Sequence, residues 1–112
     1  MKIIAKCNVK NEEEMLKALT SDMSLKDLGV DVKLKLKGFV KRSDDAGGNV
    51  LMTISTDKGY YTTQSENVMK TMETIAATYG DTSDAVFEKG INAVLGTGKS
   101  KNGRDFLRLT LV

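Results

Sequence analysis

The chain has 112 residues, with 17 Lys and Arg against 15 Asp and Glu, for a net charge of +2. It has no histidine and one cysteine, which removes the usual general base, the commonest metal ligand and any internal disulfide. Its length predicts one domain, and its apolar runs are too short to span a bilayer, so no membrane contact is expected.

The start, MKIIAKCNVK, holds no apolar stretch of signal-peptide length, and the lone thiol fits a reducing compartment, so a cytoplasmic protein is expected. Lys2 to Lys10 alternates as a first strand, with Ile3, Ala5, Cys7 and Val9 on one face. Asn11 then opens the run NEEE. Asn is a good N-cap, Glu14 stands at the capping-box position, and acids favour a first helical turn. Met15, Leu16 and Leu19 form the apolar stripe of that helix. Gly29 closes the segment after a further turn at Leu25–Leu28.

Val30 to Arg42 reads VDVKLKLKGFVKR. Val32, Leu34 and Leu36 alternate with Lys33, Lys35 and Lys37, so the strand has an aliphatic face and a cationic one. Strict alternation puts Phe39 and Lys41 on the cationic face. Asp44, Asp45, Gly47, Gly48 and Asn49 predict a polar turn, and Val50–Ser55 a second strand. Asp57-Lys58-Gly59 is a hairpin signal, and Tyr60–Gln64 returns as a third strand with Tyr60 and Tyr61 on opposite faces. Ser65 caps a helix whose stripe is Val68, Met69, Met72, Ile75, Ala76 and Tyr79, and Gly80 ends it. Residues 81–90 allow a short helix at Asp84–Lys89. Ile91–Thr97 and Phe106–Val112 predict a hairpin around the basic turn Gly98–Gly103.

The expected fold class is α+β, with a mostly antiparallel five- to six-stranded sheet, or an OB-like barrel, and two helices. The whole of 1–112 is one domain. Within it, 1–29 is a strand-helix extension and 30–112 is a strand-strand-strand-helix-strand-strand unit, the element order of an OB-fold. An α+β meander with two helices on one face fits the same pattern.

Charge is segregated along the chain. Residues 30–42 carry five cations and one acid, and residues 98–108 carry four cations and one acid. The remainder is therefore acidic, notably at Glu12–Glu14 and Asp81–Asp84. In the last strand Leu107, Leu109 and Leu111 share a face, and Arg104, Phe106, Arg108 and Thr110 the other. Two strands thus set a phenylalanine among cations. Aromatic rings on a sheet stack bases, and Lys and Arg neutralise phosphates. The competing account is a solvated edge, because strand lysines also block aggregation.

Ala93-Val94-Leu95-Gly96-Thr97-Gly98-Lys99-Ser100 has the spacing of a relaxed phosphate-binding loop. That chemistry needs a helix starting at the lysine. Here the turn-forming SKNGRD and an alternating strand follow instead. One cysteine without histidine supports no nucleophile pair and no zinc cluster, and no carboxylate pair is placed across a cleft. The expectation is a non-enzymatic protein with no cofactor and no metal site.

The segments DKGYYTTQSENVMKTMETI and GTGKSKNGRDFLRLTLV resemble small single-stranded DNA-binding proteins of OB-fold type from phages and mobile elements of Gram-positive bacteria. The resemblance covers residues 57–75 and 96–112. It implies single-stranded DNA binding in DNA replication. The chain ends in LRLTLV where cellular proteins of this kind carry an acidic tail, so recruitment through such a tail is not implied.

The expected interface comprises Lys33, Lys35, Lys37, Lys41, Lys99, Lys101, Arg104 and Arg108 on phosphates, with Phe39, Phe106 and Tyr60 or Tyr61 on bases. The alternative is a small protein–protein module, such as a phage-encoded inhibitor of a host protein, using the Glu12–Glu14 helix. DNA against RNA, homo-oligomer formation and the identity of any protein partner stay open. So does whether residues 33–41 and 104–108 face the same way.

Overall fold

In the computed structural model, which describes residues 1–44 and 48–112, the protein is α+β with one six-stranded antiparallel sheet. The strands are β1 (Lys2–Cys7), β2 (Val32–Ser43), β3 (Val50–Thr56), β4 (Gly59–Thr63), β5 (Ile91–Lys99) and β6 (Asp105–Leu111). The helices are α1 (Glu12–Thr20), α2 (Glu66–Tyr79) and the short α3 (Ser83–Lys89). Asp45 and Gly47 of the expected polar turn lie outside the described residues. Among those described, no helix is long and apolar enough to cross a membrane.

The sheet order is β4-β3-β2-β5-β6, with β1 also on β2. Strands β2, β3 and β4 form a meander, and β5 returns through α2 and α3 to lie beside β2, which is a Greek key. The long β2 organises everything. Its first half pairs with β5 from Val32↔Leu95 to Leu36↔Ile91. Its second half pairs with β1 along that same edge, while β3 lies on the other.

A bulge at Lys37-Gly38 joins the two halves, where the register with β3 slips between Leu36 and Gly38. A Cβ on Gly38 would lie 2.6 Å from the Cys7 carbonyl oxygen, and φ is +152°, so glycine is required there. The extra residue inverts the alternation beyond it. Leu34 and Leu36 face the core, and so does Phe39, 3% exposed, whose ring meets Phe87 edge-on at 6.1 Å. The outward series runs Lys33, Lys35, then Val40 and Arg42. This overturns the assignment of Phe39 and Lys41 to the cationic face.

The core lies between the inner sheet face and α2. Leu34, Leu36, Phe39, Met52, Ile54, Ala93, Leu95 and Leu109 meet Val68, Met69, Met72 and Ile75. Phe87 of α3 and Leu25, from a single 3-10 turn at Leu25–Leu28, are wholly buried beside them. At roughly 1.5–3 kcal/mol per buried large apolar side chain, this layer supplies most of the stabilisation.

Helix α1 lies on the opposite, outer face, so the two main helices do not share a face. The Asn11 side chain accepts from Glu14 N–H at 2.8 Å, and the Glu14 carboxylate accepts from Lys10 N–H at 2.6 Å, one residue before the capping-box position. Ala18 is its buried residue, whereas Leu16 of the expected stripe is 62% exposed. Beneath α1, Arg42 donates from Nη1 to Thr53 Oγ1 at 2.7 Å, and that hydroxyl donates to Ala18 O at 2.8 Å. Arg42 has no ion-pair partner among the described residues. Burial pushes its pKa down.

Candidate nucleic-acid interface

In an antiparallel pair, residues directly opposite share a face. Lys33 lies opposite Val94, and Val94 lies opposite Thr110. Lys35 lies opposite Asn92, Arg108 opposite Gly96, and Phe106 opposite Gly98. Lys33 and Lys35 of β2 therefore face the same way as Phe106, Arg108 and Thr110 of β6. This is the outer side of the sheet, away from α2. Lys33, Lys35 and Arg108 are exposed there.

The floor of this face is shallow because β5 contributes Gly96 and Gly98 at its centre. The Phe106 ring lies over Gly98, so close that a Cβ there would come within 2.7 Å of its Cζ. Phe106 is half-buried, with one side spent on the strand. From the Phe106 row to the Lys35 row is about 20 Å at roughly 3.4 Å per residue. A short run of backbone carrying several phosphates fits that length.

Asp57 borders the face. Its carboxylate accepts from Lys35 N–H at 2.9 Å, and its own N–H donates to Lys35 O at 3.1 Å. That continues β2's hydrogen bonding past β3 and holds the acid at the rim. A groove of about 560 Å³ runs here between Lys33, Lys35, Asn92 and Val112.

The turn after β5 is closed by Ser100 N–H donating to Arg104 O at 2.9 Å and Gly103 N–H donating to Ser100 O at 2.9 Å. Lys99, Lys101 and Arg104 are exposed around it. Among the described residues none of Lys33, Lys35, Lys99, Lys101, Arg104 or Arg108 has an ion-pair partner. The Ala93–Ser100 octet is strand as far as Lys99 and leads into β6, so its amides pair with strands instead of cradling a phosphate.

The remaining expected residues separate. Phe39 is in the core and offers no ring to solvent. Lys41 points to the α2 side, where Nζ lies 2.7 Å from Glu73 Oε1. Tyr61 packs against the core, its hydroxyl donating to Lys58 O at 3.2 Å. Tyr60, opposite Ser55, faces outward. It lines a groove of about 230 Å³ between α1, the sheet and α3, together with Lys37, whose Nζ donates to Glu88 O at 3.1 Å.

Sequence reasoning missed Gly96, Gly98 and Asn92 as parts of this surface. Their signal was the period-two placement of small and polar residues opposite the cations. It also missed the segment that spans the groove. Asn8 Nδ2 donates to Lys37 O at 2.8 Å, Asn8 N–H donates to Asp84 Oδ1 at 2.7 Å, and Lys10 Nζ lies 2.6 Å from Glu88 Oε2. The Glu88 carboxyl is held below the usual carboxylate range by hydrogen bonds from Lys10 and Asn8, and Lys10 is raised by the same pair. No protein-family model, curated protein or solved structure matches the chain.

Proposed function

We propose that this chain is a non-enzymatic single-stranded nucleic-acid-binding protein, with the strand laid across the outer face of β2, β5 and β6. The observation that carries the proposal is the register that turns Lys33, Lys35, Arg108 and Phe106 to one side. The lysines and Arg108 neutralise phosphates, Phe106 stacks a base, and Lys99, Lys101 and Arg104 approach from the hairpin tip. Single-stranded DNA in phage or mobile-element replication is the specific form of the proposal. That part rests on the likeness of residues 57–75 and 96–112 alone.

The test is fluorescence anisotropy of a labelled single-stranded oligonucleotide at two salt concentrations. The expected result is tight binding at low salt that weakens steeply as salt rises. No binding at low salt overturns the proposal. A second reading, a protein-binding module, is favoured by Leu16, exposed on α1 beside Glu12 and Glu13. Loss of a captured protein on charge reversal of Glu12–Glu14, with oligonucleotide binding absent, would establish it instead.

A further inference from the structure

The lysine row of β2 continues beyond its exposed stretch. Lys33 and Lys35 lead along the outer face to Lys37 in the bulge, and Lys37 lines the mouth of the groove under α1. The groove has Tyr60 and Ser55 on the sheet side, α1 opposite, and the Lys10–Glu88 pair at 2.6 Å among its walls. Neither the Tyr60 hydroxyl nor the Ser55 hydroxyl has a hydrogen-bond partner among the described residues. Both can donate and accept.

Resting on the nucleic-acid reading above, we infer that this groove is a single-base subsite, which takes one nucleobase splayed from a strand whose phosphates lie along Lys33 and Lys35. Three observations agree on that ligand. The volume, about 230 Å³, is below the roughly 300–1,000 Å³ of sites for drug-sized molecules, so it suits one ring system and not a length of chain. The charges balance, with Lys10 and Lys37 against Glu14 and Glu88, so the groove favours a neutral ring over a phosphate. Tyr60 supplies an aromatic wall, and two unengaged hydroxyls supply polar contacts to a base edge.

The inference is tested by amide chemical-shift mapping of the full chain, titrated at low salt with thymidine, deoxyadenosine and, separately, inorganic phosphate. Nucleosides are expected to move the Lys37, Ser55 and Tyr60 amides, and phosphate to leave them in place. Tyr60→Leu should abolish the nucleoside shifts and weaken oligonucleotide binding about 5- to 150-fold, whereas Tyr60→Phe, which keeps the ring and loses one hydroxyl contact, should keep the nucleoside shifts and weaken oligonucleotide binding less. Equal shifts with phosphate overturn the inference, as does the absence of Tyr60 and Ser55 shifts with both nucleosides. If Tyr60→Leu does not fold, the titration of the unaltered chain and of Tyr60→Phe still decides. An oligonucleotide that moves Val94 and Arg108 while nucleosides leave Tyr60 unmoved removes this subsite alone. Unmoved Val94 and Arg108 remove the reading of the β2-β5-β6 face.

Discussion

Phe106 lies across Gly98, its partner in the β5–β6 ladder, with no space for a side chain between ring and strand. The ring covers a glycine that would otherwise leave backbone bare. Flanked along the chain by Arg104 and Arg108, it is the stacking platform that the proposed binding needs. The three atoms nearest a Cβ at position 98 all belong to the far end of this one side chain.

Gly98→Ala should therefore lift or turn the ring with little effect on the fold. Thermal unfolding is expected to stay within about 1 kcal/mol of the parent. Oligonucleotide affinity should fall, as it should in Phe106→Ala, by about 1–3 kcal/mol for one lost stacking contact. Full affinity in both variants would show that no base stacks at Phe106.

The cations divide by face. A variant carrying Lys33→Ala, Lys35→Ala and Arg108→Ala should lose salt sensitivity. Each phosphate contact on a single strand contributes roughly 0.7 to the slope of log affinity against log salt, so three lost contacts flatten it by about 2. Lys41→Gln should leave the slope unchanged, because Lys41 serves Glu73 on the α2 side. An equal effect of Lys41→Gln would mean that general charge, not this face, governs binding.

The bulge should be intolerant of a side chain. Gly38→Ala brings a Cβ to 2.6 Å from backbone that has no room to yield, at a φ that L-residues avoid. A destabilisation of at least about 1–3 kcal/mol is expected in urea titration. Parent-like stability would mean that β2 can run without the slip that buries Phe39.

The Lys10–Glu88 pair should tie the segment between β1 and α1 to α3 in a pH-dependent way. Glu88 is lowered by hydrogen bonds from Lys10 and Asn8, so its contribution is complete above the ordinary glutamate value and is lost as pH falls through the lowered one. Lys10 is raised by its bond to Glu88, so its contribution is complete below the ordinary lysine value and fades as pH rises through the raised one. Hydrogen exchange corrected for intrinsic rate should therefore show Lys10 N–H best protected between those limits and less protected in acid. The same acid profile in Glu88→Gln would assign the change to groups outside this pair.

Local pattern determined a great deal by itself. The Asn11 and Ser65 caps, the hairpins, the order of elements and the α2 stripe from Val68 to Ala76 follow from spacings of a few residues and are present where those spacings put them, whereas Tyr79, expected in that stripe, is 47% exposed. The cation and aromatic residues of β6 were legible for the same reason, since alternation held from Phe106 to Leu111. Tertiary structure decided which of them meet. Strand register placed Lys33 and Lys35 on the side of Arg108 and Phe106, and no period-two pattern within one strand encodes its partner. The slip at Lys37-Gly38 reversed the alternation and sent Phe39 and Lys41 inward. It arises because β2 must pair with β5, β3 and β1 in turn, and Gly38 must pass against the Cys7 carbonyl. One lysine-striped strand thus serves two surfaces, open beside β5 and covered by α1 beyond the bulge.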